Sequence, residues 1–380
     1  MKFTKILNLI RYLLKAKLKF LPPKKRKILI FDGISNPFHK YLKKKDYNIL
    51  YRRGEELNLF IILNCILKLS LKSKTYYKLF IKYSNPKIIL TAIDNSMVFY
   101  QLKSITKIPT ISIQNTQRTY MDDLTFIKKV SKKKSFSVDY MLTFNERTSK
   151  DYQKYIFGNK IVLGSFLSNS EQIKNKKSEK KMLLISTHKP DHISKKNDKK
   201  LRDFYKNDDE VIKQIHFFCE KNQIPLCILG RNISNKNIEL EKEYFARLTS
   251  NKVKFLHNFR GRKNFEIMDK FKYLIAIEGT LGIENLSRGG RSGFIFNRPN
   301  NKEYMSRRYG VLEGLKRKGP FWTSYNDKKE FIRVCKYLVF ASEKSWKHSR
   351  KKYASKVMTH DKNNKKFLNI INKILNENKN

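Results

Sequence analysis

At 380 residues the chain is long enough for two domains of ordinary size, and its 40% hydrophobic content excludes a globally disordered protein. A formal net charge of +50 calls for an anionic partner (nucleic acid, lipid headgroups or a phosphorylated substrate), although part of the lysine excess accompanies Asn and Ile, as an AT-rich coding bias would produce. The four cysteines, Cys65, Cys219, Cys227 and Cys335, show no CxxC spacing, which predicts buried free thiols in a reducing cytoplasmic compartment, and the seven histidines form no metal-ligating pattern.

Met1 to Leu21 alternates apolar residues with lysines. On a helix, Phe3, Ile6, Leu7, Leu9, Ile10, Leu13, Leu14, Leu18 and Phe20 share one half, and Lys5, Arg11, Lys15 and Lys19 the other, while Lys2 and Lys17 break the pattern. No uncharged run approaches the roughly 18 residues of a membrane span, and no cleavable signal pattern is present. With Pro22-Pro23-Lys24-Lys25-Arg26 behind it, segment 1–26 reads equally as an anchor on an anionic membrane surface and as a helix docked on the protein's own core.

Residues 27–167 alternate strands and helices, the mark of a doubly wound α/β domain. Lys27 to Asp32 is a strand ending at Asp32-Gly33, followed by a loop with Ser35, Asn36 and His39. A second strand runs from Tyr47 to Arg52, a long helical region from Glu55 to Lys82, and a third strand from Lys87 to Ile93, ending at Asp94-Asn95. After a helix to about Lys103, Pro109 to Ile113 leads to Gln114-Asn115-Thr116-Gln117-Arg118. Asp139 to Phe144, a helix from Glu146 to Tyr155, and Lys160 to Gly164 complete this half. Strand ends of this kind face the ligand crevice in open α/β sheets.

Polar, lysine-rich 168–181 reads as a linker, and 182–342 as a second Rossmann-like domain. There Met182 to Ser186 leads to Thr187-His188 and a polar insertion to Asn207, and Asp208 to Asn222 is an amphipathic helix. Pro225 to Leu229 ends at Gly230-Arg231, and Val253 to Leu256 precedes a short helix. Tyr273 to Ile277 is a buried strand, Glu278 to Gly282 a glycine turn, Ile283 to Arg288 a helix and Ser292 to Phe296 the next strand. Helical segments over Asp327 to Ala341 and, within a C-terminal segment 343–380, Asn363 to Asn376 close the chain.

The strand, glycine turn and helix at 273–288 together make an anion site, where free backbone N–H groups and the helix dipole face a ligand. Gly279 and Gly282 would let a phosphate approach the backbone, Thr280 would add a hydroxyl, and Glu284 could accept two ribose hydroxyls. The plainer reading, an ordinary strand-turn-helix unit, weighs equally on these residues alone.

The string Gly279-Thr280-Leu281-Gly282-Ile283-Glu284 resembles the donor-site segment of GT-B glycosyltransferases. More closely, it is similar to bacterial surface-polysaccharide biosynthesis proteins, whose usual form is Ser-Thr-Leu-Gly-x-Glu; here Gly279 stands where serine is expected. The resemblance extends to Asp94-Asn95, Ser112-Ile113-Gln114-Asn115, Gly230-Arg231, Gly319-Pro320-Phe321-Trp322 and Asp361-x-x-Asn364, spanning most of the chain. It implies two Rossmann-like domains facing a cleft and transfer of a sugar from a nucleotide-sugar donor to a growing glycan of lipopolysaccharide or capsule type. The acceptor would be lipid-linked and the enzyme peripheral on the cytoplasmic face of the inner membrane.

On that reading Gly279, Thr280, Leu281, Gly282 and Glu284 bind the donor, with Arg231 pairing its phosphate. Asn95, Gln114, Asn115 and Arg118 face the acceptor or sugar. An inverting transfer needs a general base, for which Asp94 is preferred, with Asp32 and His39 as the other candidates; Asp94 equally reads as an N-cap for the helix near Ser96. No D-x-D occurs, so no metal or other cofactor is expected, the nucleotide-sugar being substrate. Two alternatives remain: a nucleotide-sugar epimerase of the same fold, and a basic nucleic-acid-binding protein, the latter disfavoured because lysines spread along the whole chain and no recognisable module appears.

Overall fold

The computed structural model describes residues 16–33, 37–117, 136–171, 178–190, 199–259, 261–296 and 315–377, with side chains of 199–207 left aside. Two parallel sheets dominate it. The first contains β2 (Ile28–Phe31), β3 (Tyr47–Leu50), β5 (Ile88–Thr91), β6 (Thr110–Ile113), β7 (Ser137–Thr143) and β8 (Phe157–Val162), in the order β3-β2-β5-β6-β7-β8. β2, β5 and β6 are buried along their whole length, which is why they read as unbroken apolar or small-residue runs rather than alternating ones. A separate parallel pair, β1 (Lys17–Lys19) with β4 (Glu56–Asn58), lies beside them.

The second sheet has the order β11-β10-β9-β12-β13-β15-β14, from β9 (Glu179–Ile185), β10 (Leu226–Leu229), β11 (Lys254–Leu256), β12 (Phe271–Ala276), β13 (Arg291–Ile295), β14 (Lys318–Gly319) and β15 (Trp322–Thr323). Only β14 runs antiparallel. Each sheet starts in its interior and winds outwards both ways, so strand order reverses between β2 and β5 and again between β9 and β12. Loops diverge at those two points and leave a crevice at the carboxyl ends of the strands. The doubly wound, GT-B-like architecture expected from the sequence is the one observed.

The helices in chain order are α1 (Leu59–Leu67), α2 (Ser73–Ser84), α3 (Met97–Tyr100), α4 (Glu146–Gln153), α5 (Phe166–Asn169), α6 (Lys199–Lys221), α7 (Asn235–Leu248), α8 (Arg262–Met268), α9 (Thr280–Arg288), α10 (Lys328–Phe340), α11 (Glu343–Val357) and α12 (Lys365–Glu377). Several differ from expectation. The last part of the N-terminal segment read as helix is strand β1: Lys17 and Lys19 are exposed and Leu18 between them is half-buried, a period of two. Residues 1–15 lie outside the described residues. The region 55–82 opens with strand β4 before α1 and α2, because Asn58 stops the strand and caps α1, its side chain accepting from Ile61 N at 3.0 Å. Helix α6 begins at Lys199, inside the stretch read as polar insertion. The end of α5 and the start of β9 fall within the stretch read as linker. The C-terminal part holds three helices; α11 has no continuous apolar stripe and is held chiefly through Trp346, Ala354 and Val357.

Beyond α11 the chain returns to the first sheet. Thr359 N donates to Phe144 O (2.9 Å), Gly164 and His360 form a bridge, and Phe367 of α12 packs edge-on against Phe166 with ring centroids 4.9 Å apart. Asn364, wholly buried with φ +53°, ties this return: its amide donates to Tyr41 Oη (3.0 Å) and Phe166 O (2.9 Å) and accepts from Asn169 Nδ2 (2.9 Å). Asp361 accepts from Lys366 N at 2.9 Å, at the start of α12. The Asp361-x-x-Asn364 motif therefore fastens the crossing chain. Asn364→Ala strands these buried partners and is expected to destabilise the protein by about 2–3 kcal/mol, read as a lower urea midpoint with unchanged m-value.

Candidate functional site

The α9 N-terminus sits at the reversal between β9 and β12. The helix begins at Thr280, so Thr280, Leu281 and Gly282 belong to its first turn and Glu284 lies beyond it, one turn deeper than the sequence implied. Gly279 is the N-cap at φ +114°, a conformation that side-chain-bearing residues rarely adopt, with no atom within 4 Å of where a Cβ would stand. The missing serine is explained by this backbone, and the space above the turn is open. Gly282 has a different reason: a Cβ there would lie 2.7 Å from Ala276 Cβ and 3.0 Å from Phe294, so it lets α9 seat against β12 and β13. It is buried against the sheet, away from any ligand face.

Glu284 is buried between the two halves, and its Oε1 accepts a hydrogen bond from the Ser165 hydroxyl, from the N-cap of α5. Burial pushes its carboxyl up to about 7, against the lowering effects of Ser165 and then Arg288. Thr280 Oγ1 meets Thr116 Oγ1 at 3.0 Å and accepts from Gln117 N at 3.2 Å, so the loop after β6 touches the helix start directly.

The facing wall comes from the first sheet. Asp94, at the end of β5, is fully buried: Tyr152 Oη donates to its Oδ2 (2.6 Å) and Asn115 N to its Oδ1 (3.3 Å). These bonds tie it to α4 and to the loop after β6, and the N-cap of α3 is Ser96. Gln114 is also buried and structural, its Oε1 taking Phe144 N at 2.8 Å while its Nε2 reaches Thr116 O at 2.9 Å. Asp32 is buried at φ +67°, with Arg53 (3.5 Å) and Arg52 (3.8 Å) on its Oδ2 and no hydrogen-bond partner on Oδ1 among the described residues. Asn95 and Asn115 are exposed, as is His39. Ser35, Asn36, Arg118, the acidic pair 122–123 and Arg298 lie outside the described residues.

A cavity of about 490 Å³ opens between the halves, lined by His39, Asn115, Ser165 and Phe166 from the first and by Arg262 and Phe265 from the second. Sequence reading missed its charged rim. Glu171 accepts from Lys40 (3.2 Å) and pairs with Arg262 (3.5 Å), and its carbonyl takes Arg288 Nε at 2.9 Å. Ser165, Lys40 and Glu171 carry no motif, and only the chain crossing brings them to α9.

Arg231 is exposed at the end of β10, with its guanidinium 3.4 Å from Thr187 O. Its loop is shaped by Glu241 of α7, wholly buried and unnoticed in the sequence. That carboxylate accepts from Arg231 N (2.9 Å), Asn232 N (3.0 Å) and Ser186 Oγ, joining the ends of β9 and β10. His188 stacks on Tyr244 with centroids 3.8 Å apart, and burial, then Arg247, lowers it to about 4, so it is neutral at pH 7. The crevice thus combines an open helix start, exposed Arg231 and a cavity with a charged rim. Asp94 is buried in its wall and Gln114 lines the cavity.

Residues 111–375 match the model of a family described as "putative O-antigen biosynthesis protein". No curated protein matches the chain by sequence. Among solved structures, S. aureus MnaA with UDP is similar at a TM-score of 0.52 and 12% identity, over 95% of this chain and 97% of that one. The UDP-GlcNAc 2-epimerase of Methanocaldococcus jannaschii gives 0.51 at 11% identity, over 94% and 99%. The Neisseria meningitidis UDP-GlcNAc 2-epimerase bound to UDP-GlcNAc gives 0.50 at 11%, over 92% and 99%. At these identities the likeness shows the shared fold.

The buried acid gives a stability test. Glu284 titrates near 7 when folded and near 4.5 when unfolded, so the stability its protonated form supports is full below about pH 4.5 and is lost as pH rises through 7. Glu284→Gln mimics the protonated form. Its urea midpoint is expected to gain on the unsubstituted protein between pH 5 and pH 8, by on the order of 2 kcal/mol; parallel profiles would remove the buried-acid assignment.

Proposed function

The chain belongs to the O-antigen biosynthesis family whose model spans residues 111–375, and from that premise we propose that it is a glycosyltransferase moving a sugar from a nucleotide-sugar donor to a growing surface glycan. The observation that carries this reading is the crevice itself: the N-terminus of α9, behind the open turn at Gly279, touches the loop after β6 through Thr280, Thr116 and Gln117, and a cavity of about 490 Å³ lies next to it, lined by Asn115 and by Ser165, whose hydroxyl holds Glu284. The donor's phosphate rests on the α9 start, where unpaired N–H groups and the helix dipole favour negative charge. Arg231, exposed at the end of β10, two strands from β12, pairs with that phosphate as the departing nucleotide gains charge. Glu284 turns from Ser165 to the ribose hydroxyls.

The acceptor enters from the cavity side, past Asn115. Of the three proposed bases, Asp94 and Asp32 are buried and committed to Tyr152 and to Arg52 and Arg53, while His39 lines the cavity and is exposed. The reading therefore assigns the base to His39. It takes the acceptor hydroxyl's proton as that oxygen bonds to the anomeric carbon, and the bond to the donor phosphate breaks with its electron pair leaving on the nucleotide. The acceptor is a glycan on a lipid carrier, which suits work at the inner surface of the membrane.

Calorimetric titration of the full chain with UDP, GDP, CDP and CMP, with and without EDTA, tests the donor half. One nucleotide is expected to bind preferentially, with affinity falling about tenfold in Arg231→Ala and more in Glu284→Ala. Four weak, equal, salt-sensitive affinities untouched by Glu284→Ala would sink it. With the preferred donor in hand, His39→Ala is expected to lower kcat by about a hundredfold or more at unchanged nucleotide affinity. Conversion of the donor sugar without any acceptor would replace transfer by epimerisation.

A further inference from the structure

Seven of the fifteen strongly exposed large hydrophobic side chains among the described residues fall between residues 20 and 71. On α1 the inner face is Ile61 and Cys65, and the outer face is Leu63, Ile66 and Leu67, spaced i, i+3, i+4 on one stripe open to solvent. Leu67 is 81% exposed, and Leu69 and Leu71 continue the stripe beyond the helix. Phe20 and Leu21 lie alongside: strand β1 pairs with β4 immediately before α1, and Asn58, the α1 cap, donates to Leu21 O at 2.9 Å. An isolated exposed leucine needs no explanation, but a continuous stripe does.

Leu69 adds a second observation. Ser70 N donates to Cys65 O (3.0 Å) and Leu69 N to Ile66 O (2.8 Å), closing α1 with Leu69 at φ +49° in the position glycine usually takes. A leucine is strained there, and its side chain is 97% exposed. Neither the fold nor the crevice uses it.

The charge around this stripe is mostly positive, and the nearby acids are Glu55 and Glu56 beside β1, the second lying 3.9 Å from Lys19. Residues 57–93 contain Lys68, Lys72, Lys74, Lys78, Lys82 and Lys87 and no carboxylate. Lys68, Lys72 and Lys74 are exposed and interleaved with Leu69 and Leu71. Residues 16–31, which include Phe20 and Leu21, are likewise basic without an acid. No described helix is long and apolar enough to cross a membrane. Apolar side chains set among lysines that outnumber the two neighbouring acids match an anionic bilayer interface: the leucines enter the acyl boundary and the ammonium groups stay at the headgroups.

We infer that the outer face of α1, with Leu69, Leu71 and Phe20-Leu21, is a docking surface for an anionic phospholipid bilayer. The surface is distinct from the crevice, and binding there requires neither nucleotide nor acceptor.

Sedimentation of the full chain with phosphatidylglycerol vesicles and with phosphatidylcholine vesicles tests this, comparing the unsubstituted protein with Leu67→Glu/Leu69→Glu/Leu71→Glu, which changes only exposed side chains and leaves residues 1–21 intact. Binding to phosphatidylglycerol is expected to exceed that to phosphatidylcholine, to weaken with salt, and to fall about tenfold or more in the triple variant. A Leu69→Trp variant should shift its fluorescence to the blue on phosphatidylglycerol vesicles. Equal vesicle binding by the triple variant, or no shift in the reporter, would overturn the assignment. So would dissociation of an oligomer by the triple variant without change in vesicle binding, which would make the stripe a face between copies. Nucleotide titration of the triple variant is expected to match the unsubstituted protein, so failure of the donor-site reading and failure of this one are separable.

Discussion

The chain leaves its first sheet after β8 and comes back to it at Asn364, and that return decides where a ligand can sit. Asn364 is buried in a left-handed backbone conformation, and its amide is shared among Tyr41, Phe166 and Asn169. An amide there satisfies donors and acceptors that the crossing would otherwise strand, and Asn tolerates the positive φ better than other side-chain-bearing residues. With α12 packed through Phe367 onto the first sheet, the carboxyl ends of both sheets are held facing one another.

Beside the apolar packing of Phe144 in the core of the second half, several contacts across the crevice are polar. Ser165 meets Glu284, Thr116 meets Thr280, and Lys40 and Arg262 share Glu171. None is a close-packed apolar contact, so each can be exchanged for a ligand hydroxyl or phosphate without opening a cavity. Glu284 shows the tension most clearly. A carboxyl buried and raised to about 7 is a poor choice for stability alone. It is retained at a place where a polyhydroxylated ligand would supply the donors that solvent no longer does. Gly279 and Gly282 divide the work of the motif: one keeps the turn open to a ligand, the other lets α9 lie close on β12 and β13.

The sheets were legible because buried parallel strands such as Ile28–Phe31 and Ile88–Thr91 are short apolar runs bounded by Asp, Asn and Gly, and their periodicity needs no tertiary information. The α9 turn was legible for the same local reason. What stayed hidden depends on contacts distant in sequence. Glu241 reads as one more helix acid until it is found under the ends of β9 and β10, and Ser165 is unmarked until Glu284 arrives from 119 residues away. Asp94 drew attention as a carboxylate ending an apolar strand, yet Tyr152, 58 residues on, claims its outer oxygen. Helix α11 escaped because three anchoring residues, Trp346, Ala354 and Val357, make no stripe. The family motifs at Asp361-x-x-Asn364 and Gly319-Pro320-Phe321-Trp322 prove architectural: the first ties the crossing, and in the second Trp322 lies so close over Gly319 that a Cβ would collide with its ring.

The excess of positive charge divides by residue type. Several arginines are built into the fold by their planar forks: Arg288 grips Asp269 with both carboxylate oxygens, Arg291 holds Leu338 O, Ala341 O and Glu343, and Arg333 gathers Gly319 O, Pro320 O and Trp322 O with Glu330. Such guanidinium groups are committed and leave little field for a distant partner. The lysines carry the remaining charge, and on α1 and α2 no acid lies in the sequence to neutralise them. A nucleic-acid surface would pair such charge with aromatic stacking faces. Here the exposed partners of the lysines on the stripe are leucines and an isoleucine, which stack on no base but lose water readily to an acyl chain. On the two proposals, one molecule would separate two anionic encounters: a phosphate held by backbone and arginine in the crevice, and a bilayer met by lysine and leucine at the outer face of the first domain. Placing them on different elements lets each be strong without competing for the same groups.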